Sequence, residues 1–228
     1  MKLFVIEGVD GSGKSTQIKM LQDFFRNLGY RSEYLHFPRT EAPYFGEMIA
    51  RFLRGEFGSL NQVDPYLVAL LYAGDRKDAA ETIGCWLKEG KIVLLDRYTY
   101  SNIAYQCAKL NIVEEQDKLM DWILSLEFGH FRIPRPDLNI FLDVPFSFTE
   151  KKLTSARSGD DRTYLKGIRD IHEENLSFQK KVREIYLRVA GKDGKLALIN
   201  CSSRHGEMLS QDEIFEAIIR MLKDKKFI

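Results

Sequence analysis

An α/β fold, a five-stranded parallel sheet with helices on both faces, is predicted by three features of this 228-residue chain. Strand-length apolar runs recur five times with helix-patterned segments between them. The runs are largely continuous rather than alternating, as suits strands covered on both faces. The first run leads into Gly8-Val9-Asp10-Gly11-Ser12-Gly13-Lys14-Ser15, which fits G-x-x-x-x-G-K-[ST] at every fixed position. A strand, a glycine loop and a helix N-terminus form the phosphate cradle of the three-layer P-loop NTPase fold. Backbone N–H groups and the positive helix end face the anion, Lys14 reaches the terminal phosphates, and the Ser15 hydroxyl can hold Mg²⁺. Gly8, Asp10, Gly11, Ser12, Gly13, Lys14, Ser15 and Thr16 are therefore the candidate ATP-binding residues.

In chain order, Lys2 to Glu7 reads as the first strand, and a helix begins at about Ser15. Ile18, Leu21, Phe25 and Leu28 share one face of that helix, and Gly29 ends it. Arg31 to Phe37 is the second strand, stopped by Pro38. Helical patterns cover Tyr44–Leu53 and Pro65–Lys88. Ile92 to Leu95 is the third strand, with Asp96 at its carboxyl end. Further helical stretches run Tyr98–Lys109 and Glu114–Leu126. Leu138 to Leu142 and Leu196 to Ile199 are the fourth and fifth strands. The last helix opens on a capping box, Ser210 with Glu213, and buries Ile214, Ile218 and Leu222. In parallel sheets ligands gather at the carboxyl ends of the strands, where the glycine loop, Phe37, Asp96 and Asp143 all fall.

A length of 228 residues suits one domain, 1–228, with room for a mobile insert. Charge is nearly balanced, 34 Lys+Arg against 33 Asp+Glu, so the total gives no support to a nucleic-acid or membrane partner. Three widely spaced cysteines argue for a reducing compartment rather than a disulfide framework. With no signal-like N-terminus and no membrane-length apolar run, a cytoplasmic location is expected. One segment, about 151–169, is basic and glycine-punctuated, with Lys151, Lys152, Arg157, Arg162, Lys166 and Arg169. It suits either a solvated surface loop or a lid that closes over phosphates.

Asp96, at the end of the third strand, can hold Mg²⁺ opposite Ser15 or act as a helix N-cap; its strand-end position favours the metal role. Arg39 and Arg76 stand where an acceptor could bind. His172-Glu173 begins like a zinc helix, but Leu176 occupies the second histidine position. His36, His130 and His205 stand alone and read as structural or surface residues.

The set GVDGSGKST, FPR, Tyr72 four residues before Arg76, and DRYTYSNIAYQ resembles the thymidylate kinase family from residue 3 to about 190. The resemblance implies ATP-dependent phosphorylation of dTMP to dTDP with Mg²⁺, and a homodimer. It implies a dTMP site of Asp10, Phe37, Arg39, Tyr72, Arg76, Arg97, Ser101, Asn102, Tyr105 and Gln106. There Arg39 and Arg97 grip the acceptor phosphate, Tyr72 stacks on thymine and Arg76 bonds its carbonyl edge. Lys14, Asp10 and Arg97 enter the catalytic set. The family carries a further arginine either in the glycine loop or in the lid. Gly11 occupies the loop position, so the lid is expected to supply it, Arg157 first and Arg162 second. A kinase of another nucleoside monophosphate or of a deoxynucleoside is the neighbouring alternative. A GTP-dependent switch would want an N-K-x-D sequence, which the chain lacks.

Overall fold

The computed structural model describes residues 2–154, 164–167, 170–172 and 176–228, with the backbone alone for 152–154. Five strands are present among them: β1 (Lys2–Glu7), β2 (Ser32–His36), β3 (Ile92–Asp96), β4 (Leu138–Asp143) and β5 (Leu196–Asn200). They lie in the order β2-β3-β1-β4-β5, every neighbouring pair parallel. The helices are α1 (Lys14–Asn27), α2 (Phe45–Leu53), α3 (Pro65–Lys88), α4 (Thr99–Cys107), α5 (Val113–Leu124), α6 (Phe146–Thr154), α7 (Leu176–Lys192) and α8 (Gln211–Asp224).

Alternate residues of the central strands feed two cores. Phe4 and Ile6 of β1 and Ile92 and Leu94 of β3 pack with residues of α1, α4, α5, α7 and α8. Leu3, Val5, Val93 and Leu95 face the other way, against Ala79 and Ile83 of α3 and the rings of Phe37 and Tyr98. Burial on both faces is why these strands read as unbroken apolar runs. The pairing of Ile6 with Asp96 and of Asp96 with His36 brings the ends of β1, β3 and β2 side by side, which places the site.

Local chemistry fixes the helix ends. Asp64 caps α3 by accepting from the N–H groups of Tyr66 and Leu67, with Pro65 in the first turn. The capping box at Ser210 and Glu213 is formed as expected. The expected helix Glu114–Leu126 ends its α-helical part at Leu124 and widens into a π-helical turn, Ser125–His130. That turn delivers Glu127 to a fully buried position, which no periodicity signalled.

Two helices were absent from the periodicity reading, α6 and α7. Helix α6 is short and mixed in polarity. Helix α7 does carry a stripe, Phe178, Val182, Ile185, Tyr186 and Val189, all buried. The last turn of α6 overlaps the start of the expected lid, 151–169. Arg157, Arg162 and Arg169 lie outside the described residues. Among those described, no helix is long and apolar enough to cross a membrane.

Replacing Ser210 by Ala should cost about 1 kcal/mol of unfolding free energy, because the Glu213 N–H loses its cap. Urea denaturation checks this; an unchanged midpoint would mean that the α8 cap contributes nothing.

Candidate active site

The glycine loop is open where a phosphate would sit. Gly11 and Gly13 adopt φ of 75° and 85°, a left-handed conformation cheap only for glycine. A Cβ added at Gly13 would meet no atom within 4 Å, so the space before the loop is empty. No side chain caps α1, and its first-turn N–H groups stay available to an anion. Gly8 serves packing instead: a Cβ there would collide with the Ser12 side chain. Lys14 Nζ curls over the loop, donating to the carbonyls of Val9 (3.1 Å) and Gly8 (3.3 Å). Burial first, then the neighbouring Arg97 charge, lowers its pKa to about 8.

Beside the loop, Ser15 Oγ donates to Asp96 Oδ2 at 3.2 Å. Asp96 Oδ1 is buried with no hydrogen-bond partner. Burial opposes ionisation of Asp96, but Lys14 and His36 outweigh it and hold the pKa below the usual value. An ionised carboxylate with an orphaned oxygen beside a serine hydroxyl fits a hard divalent cation. His36 Nδ1 lies 3.5 Å from Asp96, and its side chain is 47% exposed. His36 therefore belongs to the cavity wall, correcting its reading as a bystander.

Arg97 is the centre of the site. Its backbone is left-handed, with φ of 67°. The side chain is held on three sides: Nη2 donates to Asp10 Oδ1 (2.7 Å) and Tyr105 Oη (3.1 Å), and Nη1 to Ser101 Oγ (3.1 Å). Asp10 also accepts from Tyr105 (2.7 Å) and Gln179 Nε2 (2.9 Å). Against the cost of burial, Arg97 and Lys14 hold the Asp10 carboxyl well below the ordinary carboxylate range.

Tyr72 and Arg76, one turn apart on α3, both line the cavity. Arg76 is nearly fully buried and grips Glu127 through Nε and Nη2, each at 2.6 Å. Glu127 also accepts from Thr99 (2.8 Å) and Asn102 Nδ2 (3.0 Å). The Asn102 amide is thus committed to Glu127 and the Ala69 carbonyl. Gln106 lines the wall with a buried oxygen that has no partner. Phe37 also lines the cavity, and the Phe37-Pro38 bond is cis. Tyr164, Asp170 and His172 close the far side; the Tyr164 hydroxyl donates to Asp170 at 3.0 Å.

Arg39 departs from its expected place on a phosphate. Its Nε meets Asp75 Oδ1 at 2.8 Å and its Nη2 meets Asp78 Oδ2 at 2.6 Å. It does not line the cavity, whereas Pro38 and Thr40 on either side do. The physical reason is Asp75, a buried carboxylate that takes Arg39 as its counter-charge.

All of this faces one cavity of about 1070 Å³. Its wall runs from Met208–Gln211 and Ile214, past Gly11–Gln17, to Arg97, Tyr105, Arg76 and Tyr72. A phosphate cradle and a second pocket rich in aromatic and arginine side chains share one space. That arrangement defines a P-loop phosphotransferase, with donor and acceptor meeting at the glycine loop. The sequence profile of the thymidylate kinase family matches residues 6–212, and the chain belongs to that family. A probable thymidylate kinase of Thermococcus onnurineus is 32% identical over 96% of each chain. The thymidylate kinase of Mycobacterium tuberculosis is 32% identical over 83% of this chain and 86% of its own. A solved thymidylate kinase from Candida albicans, described as having broad substrate specificity, superposes with a TM-score of 0.72 at 25% identity, over 99% of this chain and 92% of that one.

Sequence reasoning missed Glu7, Glu127, His172 and Tyr186. Glu7 and Glu127 are bound by residues 25 to 179 positions away, and the His172 ring packs on Phe52 and Tyr105, so no local pattern announces them. Two measurements test the site. Removing the carboxylate in Glu127→Ala strands the Arg76 charge and should cost about 3–5 kcal/mol of stability; a loss below about 1 kcal/mol in urea titration would contradict the buried pair. Nucleotide affinity should fall as pH rises above about 8, because neutral Lys14 must take up a proton to meet phosphate. Calorimetry in buffers of different ionisation enthalpy should find proton uptake on ATP binding at pH 9; none there would contradict the lowered pKa.

Proposed function

We propose that this protein transfers the γ-phosphoryl group of ATP to dTMP, giving dTDP and ADP, with Mg²⁺ at Ser15 and Asp96. The carrying observation is the shared cavity, in which the glycine loop and the Arg97–Tyr105–Arg76–Tyr72 wall face the same space. A nucleoside monophosphate is already largely dianionic near neutral pH, since its second pKa is about 6, so the acceptor needs no general base. The chemical problem is to bring two polyanions together. Lys14 binds and orients the donor phosphates in the loop. Arg97 meets the acceptor phosphate, its charge held at the mouth of the cradle by Asp10, Tyr105 and Ser101. Bound Mg²⁺ supplies charge neutralisation at the β- and γ-phosphates.

Tyr72 offers its ring to the acceptor base, and Arg76, fixed by Glu127, presents its remaining Nη1 to a base carbonyl. Tyr105, Asn102 and Gln106 line the deoxyribose. Arg39 reaches the acceptor phosphate only by exchanging its Asp75 and Asp78 partners for it. A lid arginine, Arg157 before Arg162, completes the charge around an in-line transfer; such an arginine supplies about 10³–10⁵ in rate in related chemistry. The protein works as a cytoplasmic homodimer; the exposed Leu67 and Leu70 on α3 suit a contact between copies.

A transfer panel of ATP with each common nucleoside monophosphate tests the reading. dTMP should be preferred. dUMP should retain measurable turnover, because one methyl group is worth only about 1–3 kcal/mol. Preference for a purine monophosphate, or transfer to thymidine itself, would overturn the assignment. In Asp96→Asn the Mg²⁺ concentration giving half-maximal rate should rise at least tenfold; an unchanged requirement would remove Asp96 from the metal site.

A further inference from the structure

Beneath Arg97 lies a polar cluster of Glu7, Ser101 and Tyr186, of which Ser101 lines the cavity and Glu7 and Tyr186 do not. Glu7, the last residue of β1, is completely buried. Its Oε1 accepts from the backbone N–H of Tyr98 (2.9 Å) and of Ser101 (3.3 Å). Its Oε2 lies 2.5 Å from Ser101 Oγ and 2.8 Å from Tyr186 Oη, and those two hydroxyls are 2.7 Å from each other. Three oxygens thus form a closed triangle, every edge at hydrogen-bond length. Ser101 Oγ also accepts from Arg97 Nη1.

We propose that Glu7 is a positioning residue for Arg97: with Ser101 and Tyr186 it closes a buried ring of three oxygens that shares three protons, fixing the arginine and tying it to α7. The proton count carries the argument. An ionised Glu7 would leave two hydroxyl protons for three edges, so one edge would set lone pairs face to face. A protonated carboxyl supplies the third proton. The ring can then run from Glu7 to Ser101, from Ser101 to Tyr186 and from Tyr186 back to Glu7. A lone pair of Ser101 Oγ stays free for Arg97. Complete burial raises the Glu7 pKa, against the pull of Ser101, Tyr186 and Arg97. Arg97 and, beyond it, Lys14 are the cations that face this carboxyl.

The ring has two consequences. Left-handed backbone is costly for a non-glycine residue, and Arg97 keeps it while Glu7 binds the N–H groups of Tyr98 and Ser101 that follow it. A neutral Glu7 also leaves the Arg97 charge free of a second adjacent carboxylate, so that it is opposed at contact by Asp10 alone among the described residues. Tyr186, stacked on Phe141 at 4.5 Å, anchors the ring to α7. That helix begins just after the basic segment.

The inference rests on Arg97 serving the acceptor phosphate. Arg97→Ala is therefore the control, and full dTMP turnover in it would sink that reading rather than this one. Given a loss there, Tyr186→Phe and Glu7→Ala should each lower kcat for dTMP at least tenfold while leaving the ATP KM within twofold. Glu7→Gln keeps a donor to Ser101 and the acceptor for the two backbone N–H groups, but its nitrogen cannot accept from Tyr186. Glu7→Gln added to Tyr186→Phe should therefore leave kcat within about threefold of Tyr186→Phe alone. Melting temperatures recorded alongside separate folding from positioning, and Tyr186→Phe keeps the test open if Glu7→Ala does not fold. Full kcat in Tyr186→Phe, or equal rises in the KM for ATP and dTMP, would overturn the positioning role. A further loss of tenfold or more when Glu7→Gln is added to Tyr186→Phe would overturn the shared proton.

Discussion

The ion pair between Arg97 and Asp10, 2.7 Å long, is the contact on which the site depends. Asp10 sits in the glycine loop and Arg97 at the carboxyl end of the neighbouring strand, so the pair ties donor cradle to acceptor wall. Both groups are largely withdrawn from water. A cation held in place before its ligand arrives need not be reoriented at the moment of transfer, and this is where electrostatic catalysis gains most. Asp10 keeps the guanidinium in place.

Around that pair the buried charges are matched one by one. Glu127 answers Arg76, Asp75 answers Arg39, and Asp96 has one oxygen on Ser15 and another with no partner. A buried charge without a partner is costly, so the pairing states what each group is for. Arg76 and Arg39 are satisfied within the protein. Asp96, with one oxygen unpartnered, and Gly13, with open space before it, line the same cavity. The sheet makes this possible: its parallel strands end together, and their last residues Glu7, His36, Asp96 and Asp143 share one edge.

The fold was legible because its determinants are local. Continuous apolar runs gave the strands, and the capping box at Ser210 gave the start of α8. The phosphate loop was legible for the same reason, since every fixed residue lies within eight positions. The acceptor side was only partly so. Tyr72 and Arg76 stand one turn apart and both line the cavity, where the family resemblance implied a binding site. For Arg39 the family resemblance implied a phosphate contact, and nothing in the sequence reveals that Asp75 lies against it across the fold. Glu7 read as the polar end of a strand, yet it is bound by residues 91 to 179 positions away. Glu127 depends on a π-helical turn that has no sequence period of its own. Long-range polar partnerships among residues that look unremarkable in sequence are where such a reading runs out.

The central claim is that Arg97 acts on the phosphate of the acceptor and not on its base or sugar. Binding constants for dTMP and for thymidine, measured on the parent protein and on Arg97→Ala, form a thermodynamic cycle that isolates this contact. The account expects the substitution to weaken dTMP binding at least tenfold while thymidine binding changes less than twofold. Equal losses for the two ligands would place Arg97 elsewhere and contradict it.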